Sequence, residues 1–265
     1  MNTIIMKRVR QFPVIISLLA FGMAMPLLWG VTYPLLTKLP FYWAGAVRYA
    51  LSFCVTTGIS FVIYRGIPFP YRCEEFFRGL FSFGALGIIC AVMAFVFSYD
   101  KPDTIPTIST MLGFVCYNLA IAVSEEWLFR GLIGNVLWES RKGRKGAVWF
   151  SVTVSSIIFG LRHFLNLIAK PETVVSTTGQ VIFTFMAGFY LCAIYLRTGN
   201  IWICVFIHFL EDFLTGFWGV VSTSAAAVQH IDSDIKSTVL LVAVHSVYVI
   251  FGIFMIKGKN EEEIL

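Results

Sequence analysis

The sequence predicts an all-α fold: a polytopic membrane helix bundle of about eight transmembrane helices, with both termini cytoplasmic. Three observations carry that expectation. Of 265 residues, 58% are hydrophobic and only 13% charged, with mean hydropathy +0.80 and 26 phenylalanines. Soluble domains hold about 25% charged residues, so this chain cannot cover a water-facing globule. The same apolarity excludes disorder. Second, eight mostly apolar stretches of about 20 residues follow one another, the length a bilayer crossing needs. Third, the Lys and Arg between them gather in alternate loops.

In order, the expected spans are Phe12–Leu36, Tyr42–Tyr64, Phe76–Tyr99, Thr110–Trp138, Ala147–Ile168, Thr178–Leu196, Ile201–Val221 and Thr238–Ile256. The first follows Lys7, Arg8 and Arg10, as a secretory leader would, but no small-x-small cleavage site follows. It reads as an uncleaved span. Pro, Gly and charge clusters separate the spans, such as Ile67-Pro68-Phe69-Pro70 and Asp100-Lys101-Pro102-Asp103. These breaks are short, and no repeat or low-complexity tract appears, so the chain is one bundle. Three parts organise it: helices one to three in 1–109, a core of helices four to seven in 110–221, and a last helix with a cytoplasmic tail in 222–265.

Placing the N-terminus inside assigns 13 basic residues to inner segments: Lys7, Arg8, Arg10, Arg65, Arg72, Arg78, Arg141, Lys142, Arg144, Lys145, Arg197, Lys257 and Lys259. Only 4, Lys38, Lys101, Lys170 and Lys236, fall outside. Every inner loop obeys the bias that sets membrane orientation. It also accounts for the net charge of +5 without nucleic acid as a partner. The six cysteines (Cys54, Cys73, Cys90, Cys116, Cys192, Cys204) form no CxxC pair. They read as reduced packing residues.

Ionisable groups at bilayer depth cost about 2.5–3.5 kcal/mol each on insertion scales, and so need a reason. Glu125 and Glu126 lie in span four, His163 in span five, and His208, Glu211 and Asp212 in span seven. Glu126 and Arg130 are four apart and share a helix face. Glu125 is rotated about 100° away and has no obvious partner in its own helix. In a dry cavity such a carboxylate can serve as a base on water. The structural alternative ties both glutamates to Arg130 and Arg162. Phe159 lies one turn before His163 and packs against it. Counted from the loop between spans four and five, Glu125 and His163 sit at one level, roughly 24–27 Å deep at ~1.5 Å per residue. His208 and Asp212 share a face, a spacing suited to a common ligand or a metal. His208 is only roughly 16 Å from its own inner end. Either that end is embedded, or the four-basic loop caps helices that project beyond the bilayer. His230 reads as a solvated loop residue and His245 as packing.

Glu125-Glu126-x-x-x-Arg130, Phe159-x-x-x-His163 and His208-x-x-x-Asp212, in that order on separate helices, resemble the EExxxR, FxxxH and HxxxN/D motifs of the CAAX protease and bacteriocin-processing (CPBP, Abi) family of intramembrane proteases. Ser155–Leu161, Ala187-Gly188 and Thr198–Trp202 resemble it too, and the likeness spans about residues 110–221. It implies hydrolysis of a peptide bond in a membrane-associated or lipidated substrate, in a cavity open to the cytoplasm, as by type II CAAX prenyl endopeptidases. Glu125 and His163 would then activate water, and His208 with Asp212 would stabilise the oxyanion. Glu126, Arg130 and Phe159 would support them.

The eukaryotic prenyl-protein endopeptidases carry Asn where Asp212 stands. An ionised Asp cannot donate to an oxyanion, so Asp212 stays protonated, orients His208, or binds metal. Metal-free general-base catalysis with no cofactor is favoured. Zn2+ held by Glu125, His163, His208 and Asp212 is the alternative, and the family is commonly labelled metalloprotease. The expected partners are membrane lipid and a membrane-associated peptide or protein, and the expected location is a bacterial plasma membrane. Two rival functions are a non-catalytic regulator or bacteriocin-immunity protein of the same fold, and an ion or proton transporter.

Overall fold

Lipid offers no water to backbone N–H and C=O groups, so a chain this apolar must satisfy them within helices. The computed structural model describes residues 8–64, 75–169, 171–222 and 235–257, and among these all regular structure is helical. Helix α1 spans Pro13–Leu36, α2 Phe41–Tyr64, α3 Phe76–Phe97, α4 Ile108–Arg141, α5 Ala147–Ile168, α6 Pro171–Thr198 and α7 Ile201–Val221. These 7 are long and apolar enough to cross a membrane. The chain is an integral membrane protein. The eighth expected span coincides with helix α8, Ile235–Ile256, whose described apolar part is His245–Ile256. Cys73, His230 and the Pro-rich 67–70 stretch lie outside the described residues, as do Lys7, Arg65, Arg72, Lys170 and Lys259. The five described cysteines are free thiols, and Cys90, Cys192 and Cys204 are buried.

Two helices run longer than expected. α4 begins at Ile108, where the Thr107 hydroxyl caps the Thr110 N–H at 3.1 Å. It continues through the polar turn Glu139-Ser140-Arg141. Its 34 residues measure about 51 Å at ~1.5 Å per residue, some 20 Å more than the ~30 Å hydrocarbon core. α6 starts seven residues before the expected Thr178. Its polar first turns bond internally: Ser176 and Thr178 hydroxyls donate to the carbonyls of Thr173 (3.1 Å) and Val174 (2.8 Å).

α6 is the central helix, with 72% of its apolar window buried against 22% for α1 and α3. It packs on α5 and α8; α7 packs on α3 and α4, and α2 on α4. Glycine sets the α5–α6 distance. A Cβ on Gly160 would stand 2.8 Å from the Val181 carbonyl oxygen, and one on Gly188 would stand 3.0 Å from the Phe159 ring. The two backbones therefore meet more closely than any side chain allows.

Directly after Glu126, α4 widens into a π-helix over Trp127–Gly134. Such turns bond i to i+5 and leave carbonyls needing donors. Side chains supply them. Ser155 donates to the Phe129 carbonyl at 2.8 Å, Ser151 to that of Gly134 at 2.7 Å, and Asn135 to that of Gly131 at 2.5 Å. In α3 a second π segment, Leu80–Gly84, is bridged by Tyr190. The Tyr190 hydroxyl donates to the Phe83 carbonyl (2.5 Å) and accepts from the Gly87 N–H (3.3 Å).

Candidate active site

Glu125 and Glu126 close the regular part of α4, and both are fully buried. Being about 100° apart on the helix, they meet different neighbours. Glu126 ion-pairs through Oε2 with Arg130 Nε at 3.1 Å, as the i,i+4 spacing predicts. Its Oε1 also accepts from His208 Nδ1 at 2.7 Å, which joins residues 82 positions apart. Glu125, expected to lack a partner in its own helix, has one from α5: it ion-pairs with Arg162. Its other oxygen stands 3.9 Å from His208 Nε2. Both glutamates are thus tied to the arginines that the structural alternative named.

On α5 the regular helix ends at Leu161 and tightens into a 3-10 turn, Arg162–Leu165. Arg162 and His163 sit on that turn. Phe159, one turn earlier, is the hub of the site. His163 packs edge-on against its ring at 6.0 Å between centroids, and His208 does so at 6.1 Å. The Arg130 guanidinium lies 4.4 Å from the ring centre and that of Arg162 lies 5.5 Å away. The ring gives both cations a favourable face in a dry site.

From α7, His208 Nε2 stands 3.4 Å from Asp212 Oδ2, the predicted i,i+4 pair. With Nδ1–H donated to Glu126, the ring presents Nε2 to Asp212 and Glu125. The 34 residues of α4 exceed what a ~30 Å hydrocarbon core needs, a length compatible with the alternative in which the four-basic loop caps helices that project beyond the bilayer. Glu211 turns elsewhere and hydrogen-bonds with Tyr248 of α8. His245 packs edge-on against Phe183 at 4.5 Å, as expected of a packing residue.

Arg162 and Tyr49 are the site residues that sequence reasoning underrated. Arg162, largely enclosed at 11% exposure, ion-pairs Glu125, and the Tyr49 hydroxyl of α2 lies beside its guanidinium. A guanidinium at bilayer depth was the available signal; Tyr49 gave none. Among the described residues no three His, Cys, Asp or Glu side chains stand as a metal-ligand set. The oxygens of Glu125 and Glu126 and both nitrogens of His208 turn toward one another and toward two guanidiniums. Glu125 Oε2 and Asp212 Oδ2 stand 3.9 and 3.4 Å from His208 Nε2, while the other Glu125 oxygen faces Arg162.

The fold and these side chains define a polytopic membrane protein with a buried acid–imidazole–guanidinium centre built from α4, α5 and α7. Residues 107–214, which hold that centre, match the family described as type II CAAX prenyl endopeptidase Rce1-like. The chain is also 26% identical over 155 residues to a Bacillus subtilis (strain 168) protein named "Putative membrane peptidase YdiL". That alignment covers 56% of this chain and 54% of the relative, so the chain spans about half the length of the curated relative it matches. No solved structure matches. Both findings support the resemblance carried by the three motifs.

Proposed function

We propose that the protein is an intramembrane endopeptidase that hydrolyses a peptide bond of a membrane-associated or lipidated peptide, without a metal. One observation carries this reading: Arg130, His163 and His208 of the EExxxR, FxxxH and HxxxD motifs, far apart in sequence, meet on the Phe159 ring, and Glu126 pairs with His208 across helices, within the matched residues 107–214. In the reaction Glu125 takes a proton from water, whose oxygen attacks the scissile carbonyl. That proton then passes to the departing amine. His163 holds the water, and Glu126 fixes the tautomer and pose of His208, with Arg130 fixing Glu126 in turn. Asp212 orients His208 from the opposite side.

The bias of basic residues toward alternate loops supports both termini on the cytoplasmic side, and the same reading takes the membrane as a bacterial plasma membrane, with lipid and a lipid-anchored peptide as partners. The test is peptide cleavage by the purified protein in liposomes. Substrates are a prenylated C-terminal peptide, a peptide pheromone precursor and a bacteriocin leader, each with wild-type protein and Glu125→Ala. Cleavage of one of them that Glu125→Ala abolishes is expected. A wild type that cleaves none, and instead conducts ions or only binds a partner, overturns the reading.

A further inference from the structure

Hydrolysis at this site makes a demand that the three motifs do not meet. Water attacking a peptide carbonyl drives the C=O electron pair onto oxygen, and that oxyanion needs hydrogen-bond donors already in place. Asp212 stands where the related eukaryotic enzymes have an amide, and an ionised carboxylate only accepts. Nor is His208 free to donate. Its Nδ1 is held by Glu126 at 2.7 Å, and its Nε2 faces Asp212 at 3.4 Å and Glu125 at 3.9 Å. Both ring nitrogens look at carboxylates.

Arg162 has donors to spare. A guanidinium carries five N–H groups. One arm meets Glu125, and the Tyr49 hydroxyl takes another contact. Nη1 has only the Met25 sulfur at 3.9 Å, a weak acceptor. Nε is buried with no hydrogen-bond partner. The side chain is 11% exposed and touches the carboxylate that is to take the water's proton, so an attacked carbonyl comes within its reach. Arg130 also has nitrogens without a hydrogen-bond partner, but it is 1% exposed, ion-paired with Glu126 and laid over the Phe159 ring, so a substrate carbonyl does not reach it.

We infer that Arg162 is a catalytic residue that donates hydrogen bonds to the oxyanion of the tetrahedral intermediate, filling the place of the amide donor that position 212 lacks in this chain. No proton leaves it. The water proton goes to Glu125 and then to the leaving nitrogen as the C–N bond breaks and the carbonyl reforms. This inference rests on the peptidase reading above.

The experiment compares wild type, Arg162→Met, Arg162→Lys, and each of these combined with Asp212→Asn, in the liposome cleavage assay. Removing one oxyanion donor lowers kcat by about 10²–10³. That loss is expected for Arg162→Met, with KM within a few-fold. Arg162→Lys keeps the charge beside Glu125 and therefore the fold, which its melting temperature checks; it is expected to lose about 10-fold or more in kcat. Asn at 212 brings an amide donor, so Asp212→Asn is expected to raise kcat of both Arg162 variants about 10-fold. A purely structural Arg162 predicts no such rescue. Arg162→Lys at wild-type kcat, or no rescue in either background, overturns the inference. Glu125→Ala run alongside separates the two failures. Cleavage that needs Glu125 but ignores Arg162 sinks this inference alone, whereas wild-type cleavage indifferent to Glu125 sinks the peptidase reading and this inference with it.

Discussion

Replacing Arg130 with Met removes one half of a buried ion pair whose side chains are 1% and 0% exposed. Met matches the stem, so little packing is lost. What remains is the Glu126 carboxylate, still bonded to His208 but without its cation. Breaking a buried pair from one side costs about 3–5 kcal/mol. At roughly 2–4 °C per kcal/mol for a chain of this size, the melting temperature of the purified protein is expected to fall by about 6–20 °C. Adding Glu126→Gln removes the stranded charge while keeping an acceptor for His208 Nδ1–H, so the double variant should recover most of the loss. The full cycle, measured by thermal unfolding in one detergent, gives the coupling energy. A single variant within about 2 °C of wild type, or a double variant no more stable than Arg130→Met, would refute the claim that this pair holds the site together.

A reporter fused after Lys145 is expected in the cytoplasm and one placed between Ser222 and Lys236 outside; finding both on one side defeats the orientation drawn from the basic loops. Gly160→Ala would put a Cβ 2.8 Å from the Val181 carbonyl oxygen, costing about 1–3 kcal/mol as overpacking does. It should lower both the unfolding temperature and the activity, because Phe159 is the next residue. Chelators are expected to leave cleavage intact, and Asp212→Asn to resist them equally. Loss of about 10–100-fold in Asp212→Asn, taking the losses of outer-shell metal partners as a floor, with recovery on adding zinc, would instead make Asp212 a ligand.

Hydropathy located the spans to within a few residues, because each apolar run is ended by charge or proline. It stopped short on α4 and α6, where Glu139–Arg141 and Thr173–Thr178 continue the helix by capping and hydroxyl bonding that an apolar window does not register. Within one helix, spacing sufficed: Glu126 with Arg130, Phe159 with His163 and His208 with Asp212 are all neighbours. Pairs between helices were another matter. Glu125 with Arg162, Glu126 with His208 and Glu211 with Tyr248 depend on rotation and depth, which sequence spacing leaves open. The π segment was equally hidden, since its donors Ser151 and Ser155 come from a neighbouring helix.

The way the buried charges divide between helices bears on how the chain enters the bilayer during synthesis. α4 carries Glu125, Glu126 and Arg130 and would cross alone with an excess negative charge. α5 carries Arg162, the cation that ion-pairs Glu125. Only the short turn between Arg141 and Ala147 separates these helices, so the two form a hairpin whose intramembrane carboxylates and guanidiniums cancel. Such a hairpin is a better lodger in lipid than either half. A nascent chain cut before α5 should therefore leave α4 poorly inserted in a glycosylation-mapping assay, and one extended past Ile168 should secure it. α7, arriving later with His208 and Asp212, joins a unit already electrically closed.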